Sequence, residues 1–246
     1  MPRLPYGYSR RRVFSSEYFP PGVKWLLIVN TVIFLLTSLA PEELQSHIKL
    51  LYLTPFTVVH NLTFYQFVTY LFLHKTPWHL IFNMLVLWMF GVQLERDWGT
   101  RRFLKYYFVC GIGAGLCDVL MHAALGDWKT STLGASGAIM GVLLAFGVLY
   151  PEQTILVEFL IPIKAKYFVM IYAALALWAS IAAGNSGVSN IAHLGGMAVG
   201  FVYLKTSLPA VSLPDIGGAW RRWKLLRAKK KFQTYMKKRG NGPWVN

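Results

Sequence analysis

Four polar residues stand in otherwise apolar stretches: Ser136 in Gly134-Ala135-Ser136-Gly137, His193 in Ala192-His193-Leu194-Gly195-Gly196, and the pair His79 and Asn83. A serine hydroxyl is a weak nucleophile until a base takes its proton, and a neutral imidazole can do this at pH 7. Attack on a carbonyl builds charge on oxygen, which needs hydrogen-bond donors aimed at it. A helix N-terminus offers unpaired backbone N–H groups, and His79 and Asn83 can add side-chain donors. These types admit acyl chemistry. In it Ser136 is the nucleophile, His193 the general base, and His79, Asn83 and the Ser136 N–H the oxyanion donors. Each also has a plainer reading: Ser136 as a helix cap, His193 as a packed histidine, Asn83 as interhelical glue, His79 as an interfacial residue.

The chemistry needs elements that bring these residues together, and composition says what kind. Of 246 residues 55% are hydrophobic and 14% charged, with a mean hydropathy of +0.42. That excludes a disordered chain and disfavours a water-soluble globule. Six apolar runs approach the ~17–25 residues needed to cross a bilayer as helices. They are about Val23–Ala40, Trp78–Leu94, Phe103–Leu125, Leu133–Tyr150, Ala165–Ala183 and Val188–Leu204. None alternates with period two, so barrel strands are excluded. Ser38-Leu39-Ala40 resembles a signal cleavage site, but Pro41 follows it and the run is read as a retained helix. Residues 41–77 hold short apolar pieces broken by Pro55 and Pro77 and are expected to fold against the membrane. The expected organisation is a basic cytoplasmic tail at 1–22, a six-helix membrane domain at 23–205 and a second basic cytoplasmic tail at 206–246.

The charge of +15 is spread unevenly. With six spans, only Lys49, Lys75 and Lys129 fall on one side, and all the others of the 25 Lys and Arg fall on the side of both tails. That bias makes both termini cytoplasmic. The second, fourth and sixth helices then run from outside to inside. His79 lies in the first turn of the second with Asn83 at i+4 on the same face, Ser136 in the first turn of the fourth, and His193 about one and a half turns into the sixth. Polar groups are costly in hydrocarbon, so convergence at one depth points to a single site open to the extracytoplasmic side.

In order along the chain, His79-Leu80-Ile81-Phe82-Asn83 fits H-x-x-x-N, Gly134-Ala135-Ser136-Gly137 with Gly141 fits G-x-S-G-x-x-x-G, and Ala192-His193-Leu194-Gly195-Gly196 with Gly200 fits A-H-x-x-G-x-x-x-G. On these motifs the chain resembles the rhomboid family of intramembrane serine proteases over about residues 23–205. Glu95-Arg96 with Gly99, and His74, match further family positions. It departs at Tyr65-Gln66, where many members carry Trp-Arg, and at Met140, where many carry an aromatic residue. The resemblance implies an all-α membrane protein with a six-transmembrane-helix rhomboid-like bundle. It implies a Ser136–His193 dyad, oxyanion donors from His79, Asn83 and Ser136, no metal or cofactor, and membrane-protein substrates, single-pass or multi-pass, cut in or near a transmembrane helix. A bacterial plasma membrane is expected, since six helices are found without a seventh and no transit peptide stands out.

The remaining features are read more plainly. Gly137/Gly141 and Gly196/Gly200 are small-xxx-small contacts that let the fourth and sixth helices approach. Cys110 and Cys117 are buried packing residues, too few for a disulfide framework or zinc site. His74 is loop-ordering. Asp118 and His122, one turn apart, form a hydrogen-bonded pair, with a proton path or a third catalytic group as alternatives. The basic stretch Arg221–Arg239 with interleaved aromatics is read as an interfacial segment on anionic headgroups, not a nucleic-acid site. Two rival functions stand beside proteolysis: a catalytically silent relative that binds membrane-protein clients, and a small transporter or proton channel using Asp118, His122 and His193.

Overall fold

The computed structural model describes residues 19–157, 161–182, 190–207 and 216–239. The chain divides into two compact units, Met1–Leu208 and Pro209–Asn246. The first is built from helices α1 (Pro21–Ser38), α2 (Glu42–Lys49), α3 (Pro55–His60), α4 (Gln66–Thr69), α5 (Pro77–Trp98), α6 (Thr100–Ala124), α7 (Ser136–Leu149), α8 (Ala165–Ala182) and α9 (Asn190–Ser207), with strands β1 (Thr154–Val157) and β2 (Ile161–Lys164). The second unit holds α10 (Ile216–Arg239). In α10 the described side chains Leu225, Leu226, Phe232 and Tyr235 are exposed among the lysines.

Local chemistry sets the helix ends. Proline opens α1, α3 and α5, where its missing N–H costs nothing and its fixed φ suits the first turn. The Thr76 hydroxyl accepts a hydrogen bond from the His79 N–H at 3.1 Å and caps α5. Gly99, at φ 79°, ends α5 and lets α6 begin at the next residue, so the two helices form a hairpin with a one-residue turn.

The end of α5 also anchors α1. The Glu95 carboxylate, 2% exposed, accepts hydrogen bonds from Gly22 N (2.7 Å), Val23 N (2.6 Å) and the Thr100 hydroxyl (2.6 Å). A buried anion thus satisfies the orphan donors of a helix N-terminus and opposes its dipole. A Cβ at Gly22 would sit 2.9 Å from a Glu95 oxygen, so a larger residue there would have to displace the carboxylate from this approach.

Helix α7 occupies the centre, packed against α5, α6, α8 and α9. Nearly every residue from Gly137 to Gly147 is buried, as expected of a helix that is apolar on all sides. It has 14 residues and is therefore about 21 Å long, short of a ~30 Å hydrocarbon core. The expected fourth span, Leu133–Tyr150, is trimmed at its start. Gly134 has φ 120°, and residues 131–134 are drawn into pairing with the first connection. Among the described residues three helices, α1, α5 and α6, are long and apolar enough to cross a membrane.

Between the fourth and fifth apolar runs the chain forms two strands: β1 and β2 pair antiparallel, with Thr154 opposite Lys164. The sixth expected span, Val188–Leu204, is described from Asn190 onward, so that His193 is the fourth described residue of α9; the expected start at Val188 and residues 1–18 lie outside the described residues.

The first connection folds around Gln66, 1% exposed. Its Nε2 donates to Leu50 O (2.9 Å) and its Oε1 accepts from Thr54 N (3.2 Å) and the Thr57 hydroxyl (2.9 Å). The buried Tyr70 hydroxyl donates to Gly111 O on α6 at 2.6 Å. Phe56, Leu62 and Phe64 stay exposed on this connection. The departure at Tyr65-Gln66 is thus a buried amide holding loop backbone.

Replacing Glu95 by Ala should lower the unfolding midpoint in detergent by the cost of orphaned buried donors, about 1–3 kcal/mol. Glu95→Gln, which keeps an acceptor, should lose less. An unchanged midpoint for Glu95→Ala would contradict the anchoring role.

Candidate active site

Ser136 is the first residue of α7 and His193 lies on α9. Their Oγ and Nε2 atoms are 2.8 Å apart, a hydrogen bond between residues 57 apart in sequence. Both side chains are partly buried. The contact depends on how closely the two helices pack. A Cβ at Gly196 would collide with the Gly137 carbonyl, so glycine is required there because backbone touches backbone; one at Gly200 would meet the Tyr106 hydroxyl first and lie 3.3 Å from Gly141 Cα.

His79 and Asn83 come from α5 to the same place. Gly134, just before Ser136, lies so close that a Cβ there would meet the His79 ring at 2.8 Å. Its positive φ also excludes most side chains. The His79 ring in turn meets the His74 ring edge-on, with centroids 5.1 Å apart. Burial, reinforced by the neighbouring His79, holds His74 down at about 4, so it is neutral at pH 7. Asn83 is 7% exposed and its Nδ2 donates to no protein atom.

A cavity of about 700 Å³ joins these groups; Ser136, His193, His79, Asn83, Met140 and Tyr172 all line it. Among the described residues no Asp or Glu lines it. A buried amide donor facing a cavity has an unmet need for an acceptor. The ligand best matched to this set offers an oxygen to Asn83 and His79 and an electrophilic carbon to Ser136. Among the described residues no group of three or more His, Cys, Asp or Glu could hold a metal ion.

The loop entering Ser136 is tied on three sides. Thr132 and Leu53 exchange backbone hydrogen bonds at 2.8 and 3.0 Å, Gly134 N donates to Tyr70 O at 2.9 Å, and the Ser131 and Thr54 hydroxyls are 2.7 Å apart. Below it the Thr132 hydroxyl donates to Asp118 Oδ2 at 2.6 Å. Asp118 is fully buried, with His122 Nε2 3.5 Å from its other oxygen; His122 Nδ1 contacts Asp127 at 3.1 Å. Hydrogen bonds from Thr130, first its side chain, hold the Asp127 carboxyl below the usual range. Asp118 and His122 thus secure the loop and lie outside the cavity lining. Sequence reasoning did not single out Thr132, Tyr70 or Tyr172. Thr132 carried a weak signal, a hydroxyl shortly before the Gly-Ala-Ser-Gly motif.

The helices and cavity define a helical membrane protein with a serine and a histidine in contact inside it. A family model described as "Rhomboid domain" matches residues 61–210, and the chain belongs to the rhomboid family. It is 28% identical over 189 residues to "RHOMBOID-like protein 12, mitochondrial" of Arabidopsis thaliana, covering 71% of this chain and 54% of that protein. It is 32% identical over 207 residues to "Rhomboid-like protein 11, chloroplastic" of the same species, covering 78% and 68%. It is 33% identical over 144 residues to "Rhomboid protease AarA" of Providencia stuartii, covering 52% and 50%. The chain therefore spans about half the length of two of these relatives. With relatives named mitochondrial and chloroplastic, the bacterial plasma membrane expected above is not supported; what stands is a membrane protein.

Gly196→Ala should force α7 and α9 apart and lower the unfolding midpoint, an overpacking cost typically of about 1–3 kcal/mol. Gly196→Ala with an unchanged midpoint would show that the backbones are not in contact. Asp118→Ala should speed hydrogen exchange at the Thr132 and Leu53 amides, whose pairing it supports; protection equal to that of the unsubstituted protein would remove Asp118 from that role.

Proposed function

We propose that the protein is an intramembrane serine endopeptidase that hydrolyses peptide bonds in or near transmembrane helices of membrane proteins. The observation that carries this reading is the 2.8 Å contact of Ser136 Oγ with His193 Nε2 inside a cavity. Family membership and a relative named as a protease support it. In this reading six helices, α1 and α5 to α9, span the bilayer. Both termini lie on the cytoplasmic side, following the Lys/Arg bias, and the cavity opens to the opposite side. Anionic headgroups meet the basic tails.

His193 takes the Ser136 proton as Oγ attacks the scissile carbonyl carbon. The resulting oxyanion accepts hydrogen bonds from the Ser136 N–H at the start of α7, Asn83 Nδ2 and the His79 ring. Asn83 suits this role because its donor has no competing protein acceptor. Protonated His193 then gives its proton to the leaving amine, freeing one product and leaving an ester on Ser136. Water enters, His193 removes its proton, and the ester is hydrolysed. Met140, one turn after Ser136, lines the cavity wall where an aromatic residue would sit in many relatives. An extended segment must enter for this chemistry, so substrates whose helix unwinds near small residues are favoured. The alternative of a silent client-binding relative gives the Ser136–His193 contact no use.

A serine-directed phosphonate should label the purified protein at Ser136, and Ser136→Ala should abolish the label; labelling that persists in the variant would remove Ser136 as nucleophile. Asn83→Ala should lower kcat on a model transmembrane substrate by the order of 10²-fold with little change in KM. A change confined to KM would make Asn83 a binding residue and not an oxyanion donor.

A further inference from the structure

The mouth of the cavity carries charge of one sign. Lys49, in the last turn of α2, and Lys75, just before α5, both line it, and both are exposed. Neither forms an ion pair among the described residues. Among the described residues no carboxylate lines the cavity to offset them. The neighbouring acids are otherwise placed. Asp118 is fully buried and bonded to Thr132, Asp127 contacts His122, and Glu42 and Glu43 lie in the first turn of α2, at the opposite end of that helix from Lys49. In the six-span reading proposed above both cations fall on the side with only three Lys or Arg, which sets them apart from the basic tails.

A cleft with low-dielectric walls and charge of one sign at its rim focuses the field and concentrates the opposite charge. Much of the lining below the rim is apolar, including Phe82, Val86, Ile139 and Met140. A segment bound in this cavity at Ser136 shares it with both lysines. We infer that Lys49 and Lys75 form a charge-selective gate that favours substrates bearing an Asp or Glu side chain beside the cut bond. The gate disfavours segments with Lys or Arg there, since like charge adds a penalty against the wrong partner. This rests on the protease reading above and names the substrate class for it.

The test uses the full chain in liposomes of zwitterionic lipid and a single-span model substrate with Asp, Asn or Lys beside its cut site. At low salt kcat/KM should run Asp above Asn above Lys, with roughly three- to tenfold between Asp and Asn. High salt should shrink the ratio. In Lys49→Gln/Lys75→Gln the Asp-to-Asn ratio should fall to about one, and in Lys49→Glu/Lys75→Glu the order should invert. Reading ratios within each variant cancels any general loss of folded protein. Equal rates for Asp and Asn in the unsubstituted protein, or a preference that survives removal of both lysines, would overturn the inference. So would rates that follow added anionic lipid and ignore substrate charge, which would assign the lysines to headgroups. Phosphonate labelling separates the two levels. Labelled protein with charge-blind cleavage overturns the gate alone, whereas neither labelling nor cleavage overturns the protease reading and the gate with it.

Discussion

The structure depends on the close approach of two helices. α7 and α9 meet with Gly196 against the Gly137 carbonyl and Gly200 against Gly141. In a bilayer no hydrophobic force drives helices together, because lipid tails are as apolar as leucine. Close van der Waals packing at small residues must do it. That packing has a second consequence. Ser136 is one residue before Gly137 and His193 is three before Gly196, so the approach that stabilises the pair also brings a hydroxyl and an imidazole to 2.8 Å. Cys110 of α6 packs against Gly141 and Gly200 and closes the third side of this seam.

The rest of the fold opens a cavity at one end of the seam. Helix α7 has only 14 residues and begins at Ser136, which lines that cavity. The space above it is walled by the first connection, which holds its shape through Gln66 and Tyr70, and by the loop from 125 to 135, held through Asp118 and Thr132. Each of these ties is a buried polar group with a specific partner, which sets geometry more sharply than apolar packing does. Glu95 does the same at the other end of α5, fixing α1. The ties that hold the scaffold are satisfied within the protein, whereas the Asn83 amide donor, like the Thr63 and Tyr107 hydroxyls, Asn30 Oδ1 and the His74 ring nitrogens, has no protein partner; among the described residues Asn83 is the one of these that lines the cavity.

Much of this was legible in the sequence. The i, i+4 spacing of His79 and Asn83 and the glycines around Ser136 and His193 are local patterns, and local periodicity survives in the helices as found. What escaped depends on partners far apart in sequence. Glu95 reaches back 73 residues to Gly22. Thr132 pairs with Leu53 and Asp118, and Tyr172 reaches the cavity from α8. No periodicity announces such contacts. The hairpin of β1 and β2 hid because four-residue strands containing Pro162 give too short a pattern to read. The trimmed start of α7 was missed for a related reason: Leu133, Gly134 and Ala135 continue the apolar run, and only pairing of the preceding loop withdraws them from the helix.

The central claim is that Ser136 and His193 act as one chemical unit. A double-substitution cycle tests it most directly: cleavage of a model transmembrane substrate by Ser136→Ala, His193→Ala and the combined variant, each checked for folding. Residues of one unit are strongly non-additive. The account predicts that either substitution alone removes cleavage as completely as both together. A single variant that still cleaves, or losses that multiply in the combined variant, would contradict it.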